Sequence, residues 1–170
     1  MGEKLFFESQ AVVPQMLGLL LMALFAALAV FAAYMLLEGY IDILSAEGLS
    51  MIVAVLTVFV IAMVTAYMLK IKTTVTGESL TVGMIKGRTV PIGEIASAVS
   101  EDFRAIKDFG GWGLRYGAKG WGYIAAGTNK GLRINMKDGK SLLISTKRMF
   151  ELESAVKAAI KANEHNSKRK

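Results

Sequence analysis

The chain has 170 residues, 54% of them hydrophobic, with a mean hydropathy of +0.45 and a formal net charge of +6. It contains no Cys, which excludes disulfides, thiol catalysis and Cys-based metal sites. So apolar a composition, with charge gathered toward the C-terminal part, argues against a single water-soluble core and for membrane segments.

Residues 1–13 read as a short cytoplasmic N-terminal segment. The start "MGEKLF" does not fit a myristoylation signal, because Phe6 stands where Ser or Thr is required. From Ser9 to Leu37, and again from Leu49 to Leu69, there is no charged side chain. Each run exceeds the roughly 20 apolar residues that cross a hydrocarbon core of about 30 Å. The sequence therefore predicts a transmembrane hairpin over 14–69, with helices at 14–37 and 50–69 joined by an acidic external loop, 38–49. The first run is too long for the h-region of a signal peptide and lacks a basic flank, so it is expected to be retained.

Orientation follows from the basic residues. The loop holds Glu38, Asp42 and Glu47 and no Lys or Arg, whereas Lys70–Lys170 carries 19 basic and 9 acidic residues. The positive-inside rule then places both termini and the C-terminal domain in the cytoplasm, in a multi-pass protein of the inner, cytoplasmic membrane. Without ionisable residues in the spans, a proton relay or ion pathway built by one chain is not expected. Small residues do recur at helical spacing: Ala23, Ala27, Ala29 and Ala33 on the first helix, and Ala54, Ala62 and Ala66 on the second. Such rows let helices approach closely, either within the hairpin or against a partner or another copy.

Beyond Lys72 the pattern shortens. "KTTVTGESLTV" reads as a hairpin turning at Gly77-Glu78, "GMIKGRTVPIGEI" adds a turn at Lys86-Gly87 and a strand ending near Pro91, and "IASAVSEDF" is a fourth strand. In "GLRINMKDGKSLLIST" apolar Leu132, Ile134 and Met136 alternate with polar residues up to Asp138-Gly139, a strong hairpin signal. Thr146 then caps a closing helix whose apolar stripe is Met149, Leu152, Val156, Ala159 and Ile160. A basic tail, 164–170, follows and is expected to lack structure. Six or seven short strands and one amphipathic helix predict a small curled sheet or barrel over 70–163, covered by the helix.

The stretches "GESLTV", "TVPIGEIASAV", "FGGWGLRYG" and "GLRINMKDGKSLLISTKRMFELESAV" resemble bacterial and archaeal membrane proteins that carry a pleckstrin-homology-like (PH-like) cytoplasmic domain after a two-helix membrane hairpin. That resemblance covers roughly Thr73–Ala159 and implies the fold: a membrane α-hairpin plus a small β-rich PH-like domain with a C-terminal capping helix. It implies no catalytic motif.

The remaining puzzle is "FGGWGLRYGAKGWGYIAAGTNKG", which holds eight of the 17 glycines. Its spacing fits neither a dinucleotide fingerprint nor a P-loop. Three readings stay open. Its rings could plug the open sheet. Trp112, Tyr116 and Trp121 with Arg115, Lys119 and Lys130 could meet the anionic membrane interface. The same side chains could anchor a protein partner. The single His165 lies in the tail, and Ser or Thr nucleophiles have no histidine base, so no enzyme, cofactor or metal site is expected. The basic charge has no recognition helix, so nucleic acid is not the expected partner. The expected function is non-enzymatic: protein–protein interaction by the cytoplasmic domain within a membrane assembly or homo-oligomer, or alternatively binding of anionic lipid headgroups or membrane sensing.

Overall fold

A computed structural model describes residues 3–39, 45–117 and 120–167. The chain divides into two compact units, Pro14–Met68 and the combination of Met1–Val13 with Leu69–Lys170.

The first unit is a helical hairpin, α1 (Gln15–Leu37) and α2 (Ala46–Met68), both long and apolar enough to cross a membrane. α2 begins before the expected Ser50. The Ser45 hydroxyl accepts from the Gly48 N–H at its start, which leaves Glu47 in the first turn. Residues 40–44 of the expected external loop, Asp42 among them, lie outside the described residues. Inside α2 the hydroxyls of Ser50 and Thr57 donate back to the carbonyls of Glu47 and Val53, so neither seeks a partner elsewhere. The face shared by the helices holds Gly18, Phe25 and Ala32 on α1 and Ile52, Val55, Phe59 and Ala62 on α2, all half-buried. Phe25 and Phe59 stack there at 4.2 Å between ring centroids. The heptad spacing of 18, 25 and 32 sets this face. Ala23, Ala27, Ala29, Ala33 and Ala54 are exposed on the single chain, so of the alanines singled out from the sequence whose side chains are described only Ala62 serves the hairpin itself. The side chain of Ala66 lies outside what is described.

The second unit is β-rich. Residues 1–13, read from sequence as a separate segment, supply its first strand, β1 (Lys4–Ala11). β1 pairs antiparallel with β2 (Lys70–Thr76), with Ala11 opposite Lys70 and the Val12 N–H bonded to the Leu69 carbonyl at 3.0 Å. The helical hairpin is thus inserted where a β-turn would otherwise join two neighbouring strands. β3 (Ser79–Gly83) and β4 (Gly87–Pro91) extend the sheet in the order β1-β2-β3-β4. The Thr76 hydroxyl, accepting from Glu78 and Ser79, fixes the first of the expected turns.

A single 3₁₀ turn, Ile92–Glu94, leads to β5 (Ile95–Asp102) and the second sheet. Its order is β5-β8-β9-β7-β6, where β6 is Gly113–Gly117, β7 Gly120–Ile124, β8 Lys130–Met136 and β9 Ser141–Ser145. β8 and β9 form the hairpin expected at Asp138-Gly139. Ile71, Val75, Leu80 and Val82 from the first sheet meet Leu132, Ile134, Leu142 and Ile144 from the second in one core. The closing helix α4 (Met149–Ser167) completes that core with Leu152, Val156 and Ala159. It runs to Ser167, through residues expected to be tail, and places the exposed His165 in its last turn. It begins at Met149 rather than directly after Thr146. The Thr146 hydroxyl is buried and donates to Glu8 on β1 at 2.6 Å while accepting from the Arg148 N–H, so it ties the strand to the helix entry.

Candidate functional site

The glycine-rich stretch is an excursion from the second sheet. Phe103 N–H bonds to the Asn129 carbonyl at 2.8 Å, so the excursion leaves and returns at one rung. It opens with a short helix, α3 (Ala105–Phe109), whose N-terminal Arg104 N–H is held by the Asp108 carboxylate. Gly110 ends the helix at φ +70°, and the Gly110 and Gly111 N–H groups close on the Ile106 and Ala105 carbonyls. That left-handed cap is why glycine stands there.

β6 and β7 then form an antiparallel hairpin, and β7 docks in parallel on β9 with Trp121 opposite Leu142 and Tyr123 opposite Ile144. One face of the hairpin is pressed under Phe109. A Cβ on Gly122 would lie 2.7 Å from the Phe109 ring, and one on Gly117 would lie 2.5 Å from the Asp108 carbonyl. Phe109, Phe103, Ile124 and Leu143 make a small second core there, with the two phenyl rings edge to face at 6.0 Å. Close approach, not phosphate binding, explains these two glycines. Gly122→Ala is therefore expected to cost about 1–3 kcal/mol by overpacking, read as a lower midpoint of thermal unfolding. Adding Phe109→Leu should recover part of the loss at Gly122 but not at Gly117→Ala, whose obstacle is backbone.

The opposite face carries the rings singled out from the sequence. Tyr123 is buried in the main core, and burial raises its phenol above the ordinary value, opposed in smaller part by the charge of Arg88. Tyr116 and Trp121 face each other edge to face at 5.2 Å and are 71% and 43% exposed. β6 is the edge strand of its sheet. Trp112, by contrast, is half-buried and packs against both cores. The exposed Arg115 donates from Nε to the Trp112 carbonyl at 2.9 Å. Lys119 lies outside the described residues. Lys130 opens β8, which β9 separates from β7 and both β9 and β7 separate from β6, so the structure does not bring it beside Tyr116 and Trp121. Among the described residues no three His, Cys, Asp or Glu side chains gather as a metal site.

A second surface was not foreseen from the sequence. Val12, Val13 and Leu69, the residues that lead into and out of the helical hairpin, line an open groove with Met84, Ile106, Trp112 and Leu114. Gly113 of β6 lines it too, whereas Tyr116 and Trp121 lie toward the other end of the strand, roughly 10 Å along it at about 3.3 Å per residue. In sequence these groove residues are scattered single apolar positions, and only the strand order gathers them. Compared with protein-family models, curated proteins and solved structures, the chain matches none.

Proposed function

We propose that the chain is a non-enzymatic integral protein of the cytoplasmic membrane whose β-rich domain is a PH-like module for protein–protein interaction, within a membrane assembly or homo-oligomer. Two features support the topology. The rung between Ala11 and Lys70 requires the helical hairpin to leave and return side by side, hence an even number of crossings. The acidic loop and the basic domain favour both termini in the cytoplasm. A four-stranded meander, a second sheet and a C-terminal helix over the common core support the PH-like assignment. Relative to a plain PH layout, the helical hairpin interrupts β1 and β2, and the glycine-rich excursion interrupts the second sheet between β5 and β8.

The observation that carries the binding reading is the exposed Tyr116–Trp121 pair on the edge hairpin. Large aromatics with one side open are the side chains that anchor protein interfaces, and an edge strand offers backbone groups beside them. The test is native mass spectrometry of the full-length protein from nanodiscs, wild type against Tyr116→Ala/Trp121→Ala. A homo-oligomer or foreign subunit should be present in the wild type and lost in the variant, while the domain still unfolds cooperatively with a modestly lowered midpoint, because the variant loses only one cross-strand ring pair outside both cores. A bare monomer in both samples would overturn the reading.

A further inference from the structure

Three separate elements around the groove each present an exposed large apolar residue followed directly by a cation. They are Ile85-Lys86 in the β3–β4 turn, Ile106-Lys107 on α3 and Leu114-Arg115 on β6. Ile85 is 93% and Ile106 70% exposed, which nothing in the fold of the domain requires. The turn holding Ile85 is narrow and defined: Gly83 pairs with Gly87, and a Cβ on Gly83 would lie 2.4 Å from the Gly87 Cα. Met84, Ile106, Leu114 and Arg115 line the same groove as Val13 and Leu69, from which the chain passes into the apolar helices at Pro14 and Met68.

From this convergence we propose that the three apolar–cation pairs form a collar that docks the domain on the anionic surface of the bilayer its own hairpin spans. The inference goes beyond protein binding and uses different residues, but it rests on the membrane-spanning reading of α1 and α2. Chain connectivity supplies the first argument. An apolar–polar boundary must fall within a few residues of Val13 and Leu69, so the groove they line is tethered within a few residues of it. Charge supplies the second. A juxtamembrane cation gains from an anionic leaflet only within about a Debye length, which a groove at the chain's entry satisfies. The pairing supplies the third. An aliphatic side chain can enter the headgroup boundary while its neighbour's long stem carries the charge to the phosphates. Asp108, the acid next to Lys107, accepts from the Arg104 N–H; its charge offsets one of the three collar cations, and two remain in excess.

The chain has no Cys, so single-cysteine variants can be spin-labelled without background. The experiment places nitroxides at Ile85→Cys in the collar, Lys140→Cys in the distant β8–β9 turn and Val58→Cys in α2. Each full-length variant is reconstituted into vesicles of phosphatidylcholine, with or without phosphatidylglycerol. Accessibility to oxygen and to a water-soluble nickel chelate then gives depth. The expected result is an interfacial depth at position 85 in the anionic vesicles alone, with position 140 in water and position 58 in hydrocarbon throughout. Lys86→Glu/Lys107→Glu, two exposed changes that leave Arg115 and the core intact, should lower the ratio of docked to undocked domain at least about tenfold, as should high salt. Water exposure at position 85 in anionic vesicles, with position 58 in hydrocarbon, would overturn the collar and leave the spanning reading standing. Water exposure at position 58 would overturn both. Docking unaffected by charge reversal or by lipid charge would overturn the anionic-surface mechanism.

Discussion

Replacing residues 13–68 with Asn-Gly should convert the protein into a water-soluble β-rich domain that unfolds in one cooperative transition, whereas residues 70–163 alone should not fold. The reason is the strand that precedes the helices. Ala11 lies opposite Lys70 and the Val12 N–H already bonds to the Leu69 carbonyl, so a two-residue turn of the type favoured by Asn-Gly can close the ladder between Val12 and Leu69. β1 is not decoration on that ladder. Phe6 and Val12 are buried in the main core, Glu8 accepts from the Thr146 hydroxyl and the Lys147 N–H, Gln10 donates to the Ser145 carbonyl, and Arg148 reaches the Phe7 carbonyl. Removing a buried Phe alone typically costs about 3–5 kcal/mol, set against a total stability of about 5–15 kcal/mol for a domain. The fragment 70–163 loses all of those contacts and turns β2 into an unprotected edge, which invites aggregation. Circular dichroism melts and size-exclusion profiles of the two proteins decide the matter. A cooperative, monomeric 70–163 fragment with the same midpoint would show that β1 is dispensable.

This strand also marks the limit of what the sequence discloses. The helices are legible because a long run without charge has one physical use, and the β2–β3 and β8–β9 hairpins because their turns sit between alternating runs. β1 is hidden for two reasons. Its partner lies beyond the whole helical hairpin, and "KLFFESQA" breaks the period of two with three adjacent apolar residues, of which only Phe6 is buried. The hairpin β6–β7 is hidden because glycine is depleted in strands, while here Gly117 and Gly122 are required by the Phe109 ring and the Asp108 carbonyl above them. Once that is known, the alternation becomes readable, with Trp121 and Tyr123 on one face and Gly122 and Ile124 on the other. Lys130 stands apart from Tyr116 and Trp121 for the complementary reason. Nearness in sequence does not survive a strand order that places β9 and β7 between β8 and β6. The collar residues are visible as doublets in the sequence, but their convergence depends on topology.

The second large effect is expected at Glu101. Sequence alternation assigns Arg133 to the polar face of β8, and it does point away from the main core, yet it is only 8% exposed. Its guanidinium meets the Glu101 carboxylate through two parallel bonds, Nε to Oε2 at 2.8 Å and Nη2 to Oε1 at 2.6 Å, and donates from Nη1 to the Ser141 hydroxyl. Glu101→Ala withdraws the carboxylate that accepts two of the bonds from that buried cation, at an expected cost of about 3 kcal/mol. Glu101 is itself a quarter exposed, and water reaching the vacated site should hold the loss near the lower end for such pairs. Urea unfolding of the turn-closed domain measures it, and a loss below about 0.5 kcal/mol would place the pair among ordinary surface contacts. Glu101→Leu/Arg133→Met is the informative companion, since it removes both charges and keeps most of the volume. If it unfolds within about 1 kcal/mol of the parent, the attraction of the pair roughly offsets its desolvation. The pair would then act mainly on register. A one-residue slip of β5 along β8 would send Glu101 to the opposite face and strand the cation, so the ion pair penalises the alternatives to the native ladder more than it stabilises the ladder itself.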